Sequence, residues 1–179
     1  MAMLTTLLPR RSATALAALA RRNAKARRRP TCRHARIRLT TRHPTEFIDL
    51  TERLETLVAD AGVRFGILNV QTLHTTTAII VNEHEPLLLC DFQGLLERAA
   101  PVDARYRHDD PAARTVNVTA AERPNGHSHC RALLLPSSVA LNVADGRLQL
   151  GQWQRVFLVE LDGPREREIS ALLLRGLGQ

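Results

Sequence analysis

Short runs of aliphatic and β-branched residues, separated by turn-forming residues, follow one another along most of this chain, and they limit it to a fold built largely of β-sheet. We predict strands over residues 65–70, 75–81, 127–135, 139–143, 148–154, 156–161 and 168–174. The dipeptide Asp145-Gly146 predicts a tight hairpin turn between two of these strands. Ahead of them, Ile37 and Leu39 alternate with polar neighbours and predict a half-buried opening strand.

Two further stretches show helical spacing. The first lies between Thr45 and Gly62. Its apolar residues recur at helical intervals: Phe47, Leu50, Leu54, Leu57 and Val58. The second begins at Pro86, is rich in leucine and ends at Pro101; Cys90 within it is expected to be a small buried apolar residue. The predicted fold class is α+β, a mostly antiparallel β-sheet sandwich with two amphipathic helices.

Positive charge is concentrated at the start of the chain. Residues 1–45 contain 12 Lys and Arg and no Asp or Glu, whereas the rest of the 179 residues contains 13 basic and all 18 acidic residues. We predict a basic, disordered leader over residues 1–34 and one acidic domain over residues 35–179. The leader also resembles an organellar transit peptide or a twin-arginine export signal, and its arginines could bind phosphate backbones; we favour a disordered tail or a wrong start site.

Cysteine content and hydropathy indicate a compartment. The cysteines, Cys32, Cys90 and Cys130, are odd in number and lack the Cys-x-x-Cys spacing of a zinc site, so we expect a reducing environment. No run approaches the roughly 18–20 continuous apolar residues that cross a bilayer. We therefore predict a soluble, cytoplasmic protein with neither membrane nor nucleic acid as a partner.

The pair His127 and His129 marks the candidate functional site. On a strand over 127–135, both imidazoles would project from one face and could hold a divalent metal. The preceding Asn125-Gly126 allows a tight bend that presents backbone N–H groups to an anion. Two histidines hydrogen-bonded at a sheet edge would show the same spacing, so the pair alone leaves both interpretations open.

Other polar residues lie at strand ends or in the long connection over residues 102–126. They are His74 in a run of threonines, Asn82 and Glu83 at the end of the same strand, and His108 with Asp109. Each has a plain structural interpretation as a satisfied strand histidine, a solvated carboxylate or a loop residue. Long ordered loops in compact domains are usually functional, which favours a joint role.

The polar motifs occur in one order between Arg36 and the C-terminus. They are His74-Thr75-Thr76-Thr77-Ala78, Asn82-Glu83, Tyr106-Arg107-His108-Asp109-Asp110, Glu122-Arg123-Pro124-Asn125-Gly126-His127-Ser128-His129 and Gly146-Arg147-Leu148-Gln149-Leu150-Gly151-Gln152-Trp153-Gln154. Together they resemble the motifs of the YjbQ family. The resemblance implies a β-rich homotrimer and an activity described for that family as secondary thiamine-phosphate synthesis, which joins a pyrimidine diphosphate to a thiazole phosphate.

The resemblance and the residue chemistry together predict roles at the site. Expected catalytic residues are His74, Glu83, His108 and Asp109. Expected ligands of a small phosphorylated substrate are Arg123, Asn125, Gly126, Ser137 and Gln154. Expected ligands of a divalent metal, zinc or magnesium, are His74, His127 and His129.

Two other functions stay open from the sequence, because the chain lacks a glycine-rich phosphate loop. One is a metal-dependent hydrolase of a small metabolite, with Glu83 or Asp109 as the base. The other is a trimeric ligand-binding protein without turnover. Trp153 is expected to pack in the core, although it could instead line a heterocycle pocket.

Overall fold

The structure is a computed structural model, and it describes residues 32–119 and 122–176. These residues form eight strands and three α-helices, so the predicted α+β class is confirmed. The predicted leader lies outside the described residues apart from its last three, which belong to the first strand. None of the helices in the described ranges is long and apolar enough to span a membrane.

Five strands form the larger antiparallel sheet. They are β1 (Cys32–Thr40), β3 (Gly66–Thr72), β5 (Ser138–Ala144), β6 (Arg147–Leu148) and β8 (Glu166–Arg175), in the order β1-β8-β3-β5-β6. The predicted turn at Asp145-Gly146 joins β5 to β6 and is confirmed, with φ angles of 51° and 82°. Two consecutive positive φ angles match the right-handed twist of a hairpin, which explains the choice of these residues.

Three strands form the second antiparallel sheet: β2 (Glu46–Asp49), β4 (Thr77–Glu83) and β7 (Gln154–Glu160), with β7 in the centre. Side chains on both faces of β7 are buried. Val156 and Leu158 pack in the core shared with the larger sheet, whereas Val159 packs in a smaller core on the other side. This burial on both faces accounts for the unbroken apolar run of β7.

The strand predicted over residues 148–154 is wrong. Strand β6 ends at Leu148, and the backbone N–H of Gln154 donates to the carbonyl of Gly151 in a tight turn before β7. Trp153, expected in the core, lies in this turn with 64% of its surface exposed. The alternation of apolar and polar residues in this stretch did not by itself distinguish a strand from a turn.

The first helix, α1 (Thr51–Ala61), begins later than predicted. Residues 46–49 form β2 instead, because Phe47 pairs with Val159 and Ile48 with Leu158 of β7. Tertiary pairing therefore overrides the helical spacing of this segment. Gly62 ends the helix as expected, in the left-handed conformation with φ 58°.

The second predicted helix is confirmed as α2 (Pro86–Ala99). The carboxylate of Glu85 accepts hydrogen bonds from the backbone N–H groups of Leu87 and Leu88, at 2.9 and 2.7 Å. Together with Pro86 at the first helical position, this cap explains the sharp start. The expectation that Cys90 is buried is wrong, because Cys90 lies on the exposed side of α2.

Residues 127–135 do not form the predicted strand; the third helix, α3 (Gly126–Leu133), occupies most of this stretch. The segment His-Ser-His-Cys-Arg-Ala contains no β-branched residue, so its intrinsic preference for a strand is weak. The carbonyl of Asn125 accepts hydrogen bonds from the N–H groups of Ser128 and His129 and starts the helix. Residues two positions apart in an α-helix are separated by about 200° around its axis. His127 and His129 therefore do not share a face of α3.

Candidate functional site

Buried polar residues collect where β7 ends and the chain turns towards β8. Asp162 follows β7 with only 8% of its surface exposed, and Asn125 and Ser128 of the α3 start are 5% and 0% exposed. Asn125 Nδ2 donates to Asp162 Oδ2 at 3.0 Å, and Ser128 Oγ donates to the carbonyl of Leu161 at 2.5 Å. These bonds fix the start of α3 against the end of the central strand.

Asp162 is the centre of this polar cluster. Besides Asn125, its Oδ2 atom receives Arg165 Nη2 at 2.8 Å, and Arg123 Nη2 lies 3.8 Å from its Oδ1 atom. Arg123 also donates to the carbonyl of Asp162 at 3.2 Å. The Oδ1 atom of Asn125 is buried and has no hydrogen-bond partner in the described ranges. An unpaired buried acceptor is costly, so this atom is a candidate contact for a ligand or water.

His108 and His129 form the closest pair of imidazoles in this region, with ring centroids 4.6 Å apart. His108 belongs to a short 3-10 turn (Arg107–Asp109), and His129 to α3. The Nε2 atom of His108 is buried, lacks a hydrogen-bond partner among the described residues and lies 4.0 Å from Glu122 Oε1. Folding therefore brings His129 together with His108, and not with His127 as the predicted strand required.

His108 lines a cavity of about 380 Å³, which we call the histidine cavity. Its charged wall consists of Asp109, Arg114, Glu122 and Arg123. Arg114 Nη1 pairs with Glu122 Oε2 at 2.9 Å, and this bond lowers the pKa of Glu122. Arg123, 56% exposed, is the less constrained of the two cations and can turn towards a bound anion.

Asp109, in the wall of the histidine cavity, stabilises the start of α3. Its Oδ1 atom accepts hydrogen bonds from the backbone N–H groups of both Asn125 and Gly126, each at 2.9 Å. A carboxylate at this position satisfies free N–H groups at the start of α3 and complements the helix dipole. A Cβ atom at Gly126 would overlap Tyr106, so the close packing of the loop on α3 requires glycine.

His127 lies on another side of α3, near Tyr106, with ring centroids 6.3 Å apart. The hydroxyl of Ser128 donates its one proton to the carbonyl of Leu161, so it can only accept a hydrogen bond from His127. The 3.0 Å contact between Ser128 Oγ and His127 Nε2 therefore requires a proton on Nε2 of His127. Burial, followed by the charge of Arg131, lowers the pKa of His127 below its usual 6.5. Burial and the neighbouring His108 do the same for His129, so both imidazoles are neutral at pH 7.

His74 occupies a different place, between β3 and β4 and beside the start of β8. Its Nε2 atom accepts a hydrogen bond from the backbone N–H of Glu168 at 2.8 Å. Next to it lies a buried ion pair, in which Arg167 Nε donates to Glu160 Oε2 at 2.6 Å and Arg167 Nη2 to Glu160 Oε1 at 2.5 Å. Glu160 in turn accepts the N–H of Asp162, which connects this pair to the cluster around α3.

Besides His74, three predicted site residues lie away from the histidine cavity: Glu83, Gln154 and Ser137. Glu83 and Gln154 face each other at one end of the smaller sheet, whereas Thr77 pairs with Glu160 at the other end. At about 3.3 Å per residue, six residues separate these ends by about 20 Å. Ser137 is exposed, and its carbonyl accepts the N–H of Thr72 near His74. Within one chain, Glu83 and Gln154 therefore cannot reach the polar residues at the start of α3.

The predicted metal ligands His74, His127 and His129 are not assembled as a set. The Nε2 atom of His74 accepts a backbone hydrogen bond and that of His127 is bonded to Ser128, while His129 projects from another side of α3. In residues 32–119 and 122–176, no three His, Cys, Asp or Glu side chains are arranged to hold a metal ion. These three residues do not fit the metal centre that the strand geometry predicted.

Sequence reasoning missed Asp162, Arg165 and the Glu160–Arg167 pair. A signal was present, because Asp162-Gly163 follows an unbroken apolar strand, and polar residues after such a strand often belong to a site. The pairing of Arg114 with Glu122 carried no such signal. These residues are eight positions apart in an irregular loop whose path only the tertiary structure defines.

Comparison with known proteins agrees with this architecture. The model of the UPF0047 protein YjbQ-like family matches residues 35–176. The chain belongs to the YjbQ family. A UPF0047 protein of Methanothermobacter thermautotrophicus is 42% identical over 131 residues, which cover 73% of this chain and 84% of that protein. A second, of Archaeoglobus fulgidus, is 37% identical over 131 residues, covering 73% and 93%.

Solved structures of YjbQ-like proteins share the fold. A YbjQ-like protein of unknown function from Sulfolobus solfataricus superposes with a TM-score of 0.72 at 31% identity, covering 81% of this chain and 98% of that one. A hypothetical protein from Aeropyrum pernix gives a TM-score of 0.70 at 31% identity, with 80% and 99% covered. The resemblance drawn from the motifs is thus confirmed at the level of the YjbQ family, and these names state no reaction.

Proposed function

We propose that the histidine cavity binds a small phosphorylated metabolite, and that the reaction is the coupling of a pyrimidine diphosphate to a thiazole phosphate. The observation that carries the proposal is the buried Nε2 atom of His108, which has no hydrogen-bond partner in the described ranges; its ring packs beside the neutral ring of His129. A buried polar atom of this kind in a cavity wall is typical of a ligand-binding site.

The charges of the wall support an anionic ligand. Both carboxylates already have partners: Asp109 accepts two backbone N–H groups, and Glu122 forms an ion pair with Arg114. Arg123 retains donors that can face the cavity, and a guanidinium matches the geometry of phosphate oxygens. The volume of about 380 Å³ falls in the range of small-molecule sites.

In the proposed reaction, the thiazole nitrogen attacks the methylene carbon of the pyrimidine as the bond to the diphosphate oxygen breaks. Negative charge then develops on the departing diphosphate, where Arg123 and an N–H of His108 can stabilise it. Asp109 holds the loop that carries His108 against α3, so it acts as a positioning residue.

Rescue of a thiamine-requiring bacterium that lacks its own thiamine-phosphate synthase tests this proposal. We expect the wild-type chain to restore growth without thiamine, and His108→Ala and His129→Ala to lose that rescue by at least about tenfold in growth yield. His34→Ala, an exposed histidine on β1, is the matched control and should rescue fully. Thermal unfolding of each purified variant shows whether the fold is kept.

Other outcomes favour other functions. Unchanged rescue by both the His108→Ala and the His129→Ala variants at equal expression contradicts the catalytic role. If the wild type binds pyrophosphate in calorimetry but does not restore growth, the ligand-binding protein without turnover is favoured. A separate observation supports that function: Asp109, one candidate base, is already engaged in holding the backbone N–H of Asn125. Release of phosphate from small esters on addition of zinc or magnesium favours the hydrolase.

We also propose the homotrimer that the family resemblance implies, with sites shared between chains. Glu83 and Gln154 are exposed at the end of the smaller sheet, next to the exposed Trp153. A head-to-tail ring would place this end of one chain against the histidine cavity of the next. Such an arrangement explains why residues of one family pattern lie about 20 Å apart within a chain.

Sedimentation and subunit mixing test the shared site. We expect a solution mass three times the chain mass of 19.9 kDa. Glu83→Gln and His129→Ala chains, each inactive alone, should recover part of the rescue when they are co-expressed, because some interfaces then hold both intact residues. Glu83→Gln with Gln154→Ala is the matched control and should recover nothing, since both changes affect the same end. A monomer, or equal recovery in both mixtures, contradicts the arrangement.

A further inference from the structure

A second cavity, of about 480 Å³, opens where β1 ends and β8 begins, and we call it the His74 pocket. Its polar wall consists of Arg38, Thr40, His74, Glu166, Arg167 and Glu168. It shares no lining residue with the histidine cavity. The function proposed above does not use it.

Two buried or half-buried nitrogen donors in this wall have no protein acceptor in the described ranges. His74 Nε2 accepts the N–H of Glu168, so the proton of the neutral ring must lie on Nδ1, for which the structure shows no acceptor. Burial, followed by the charge of Arg167, lowers the pKa of His74 and keeps the ring neutral at pH 7. Arg167 is 5% exposed and bonds through Nε and Nη2, which leaves the donors of Nη1 unused.

The carboxylates around the pocket are largely occupied. Glu168 accepts Arg36 Nη1 on Oε1 at 2.9 Å and Arg38 Nε on Oε2 at 2.8 Å. Glu160, beneath the pocket, is saturated by Arg167 and by backbone N–H groups. Glu166 is the one lining carboxylate without a hydrogen bond within the described residues; it is exposed and lies near Arg38, whose pKa its charge helps to raise. Unused donors therefore exceed unused acceptors.

We propose that the His74 pocket is a binding site for the oxyanion group, carboxylate or phosphate, of a small ligand. An oxyanion offers only acceptors, so it complements His74 Nδ1, Arg167 Nη1 and the free guanidinium donors of Arg38. The buried ion pair holds Arg167 rigidly at the base of the pocket. Arg38, 79% exposed, can close over the bound group from the rim.

Titration of the full-length protein with inorganic phosphate, and separately with acetate, tests the site at constant ionic strength. The readout is the imidazole NMR signal of His74, assigned by its loss in His74→Ala. We expect a saturable shift with one or both anions; phosphate alone indicates a phosphorylated ligand and acetate alone a carboxylate. The dissociation constant should rise about fivefold in Arg38→Gln and should fall in Glu166→Gln, because each change alters one charge at the rim.

Arg33→Gln is the matched control, since Arg33 is an exposed arginine on the same strand and does not line the pocket. It should leave the dissociation constant within about twofold of wild type. If Arg38→Gln and Arg33→Gln weaken anion binding equally, the effect comes from the overall charge of the protein and the proposal is overturned. The absence of a saturable shift with either anion would overturn it as well. Neither result bears on rescue by the histidine cavity.

Discussion

Replacing Arg167 with methionine is expected to lower the free energy of unfolding by about 3–5 kcal/mol, because it leaves a buried carboxylate without its partner. Glu160 is 0% exposed and Arg167 5% exposed, and two hydrogen bonds of 2.5 and 2.6 Å join them. Chemical denaturation of the wild type and of Arg167→Met measures the difference. Arg36→Met removes an exposed arginine that also pairs with a glutamate and should cost less than about 1 kcal/mol.

The pH dependence of this loss has a definite sign. Burial alone would raise the pKa of Glu160, but the hydrogen bonds from Arg167 and Asp162 outweigh it and lower the pKa below the usual 4.5. In the wild type, the stabilisation by this group is present above pH 4.5 and is lost as the pH falls. In Arg167→Met the buried carboxylate of Glu160 loses its only cationic partner among the described residues and keeps the bonds from Thr41 and the backbone N–H groups, so we expect burial to raise its pKa. This group then weakens the fold as the pH rises above 4.5. The same slope in both proteins would contradict the buried pair.

Changing Asp109 to alanine is expected to release the start of α3 and to abolish the arrangement of His108 against His129. Two hydrogen bonds from backbone N–H groups to a carboxylate are lost, which should cost about 1–3 kcal/mol. The unfolding free energy and amide hydrogen exchange at Asn125 and Gly126 measure the effect. We expect faster exchange at these two amides than in the rest of α3.

Asp109→Asn separates positioning from acid–base chemistry. Its side-chain oxygen can still accept from Asn125 and Gly126, so the fold and most of the growth rescue should be kept. If Asp109 were a catalytic base, as the sequence also allowed, the asparagine variant would be as inactive as the alanine variant while its helix stayed intact. That result would contradict the positioning role.

Most of the strands and α2 were predictable because their signals are local. Period-two alternation, the hairpin at Asp145-Gly146 and the cap of α2 at Glu85-Pro86 act within a few residues. The two errors with the largest consequences were at β2 and α3. At β2 a local helical pattern competes with tertiary pairing, whereas the α3 stretch lacks β-branched residues and has little preference for a strand. Phe47 carries helical spacing, yet pairing with β7 places it in a strand.

The candidate site shows the same division. His108, Asp109, Asn125 and His129 were identified from residue type and motif, and folding does bring them together. Their roles could not be predicted, because the angle between successive side chains differs between a strand and a helix. The predicted metal site of His74, His127 and His129 required His127 and His129 to project from one face of a strand, and in the helix α3 they do not.

By itself, the sequence determined the α+β class, the order of most elements, membership of the YjbQ family and the residues worth testing, since these depend on periodicity, turn chemistry and motifs. The tertiary structure alone decided which imidazoles meet, because the distances are set by chain segments far apart in sequence. It also decided that Glu160 and Arg167 are buried together and that Glu83 lies about 20 Å along the smaller sheet from that pair.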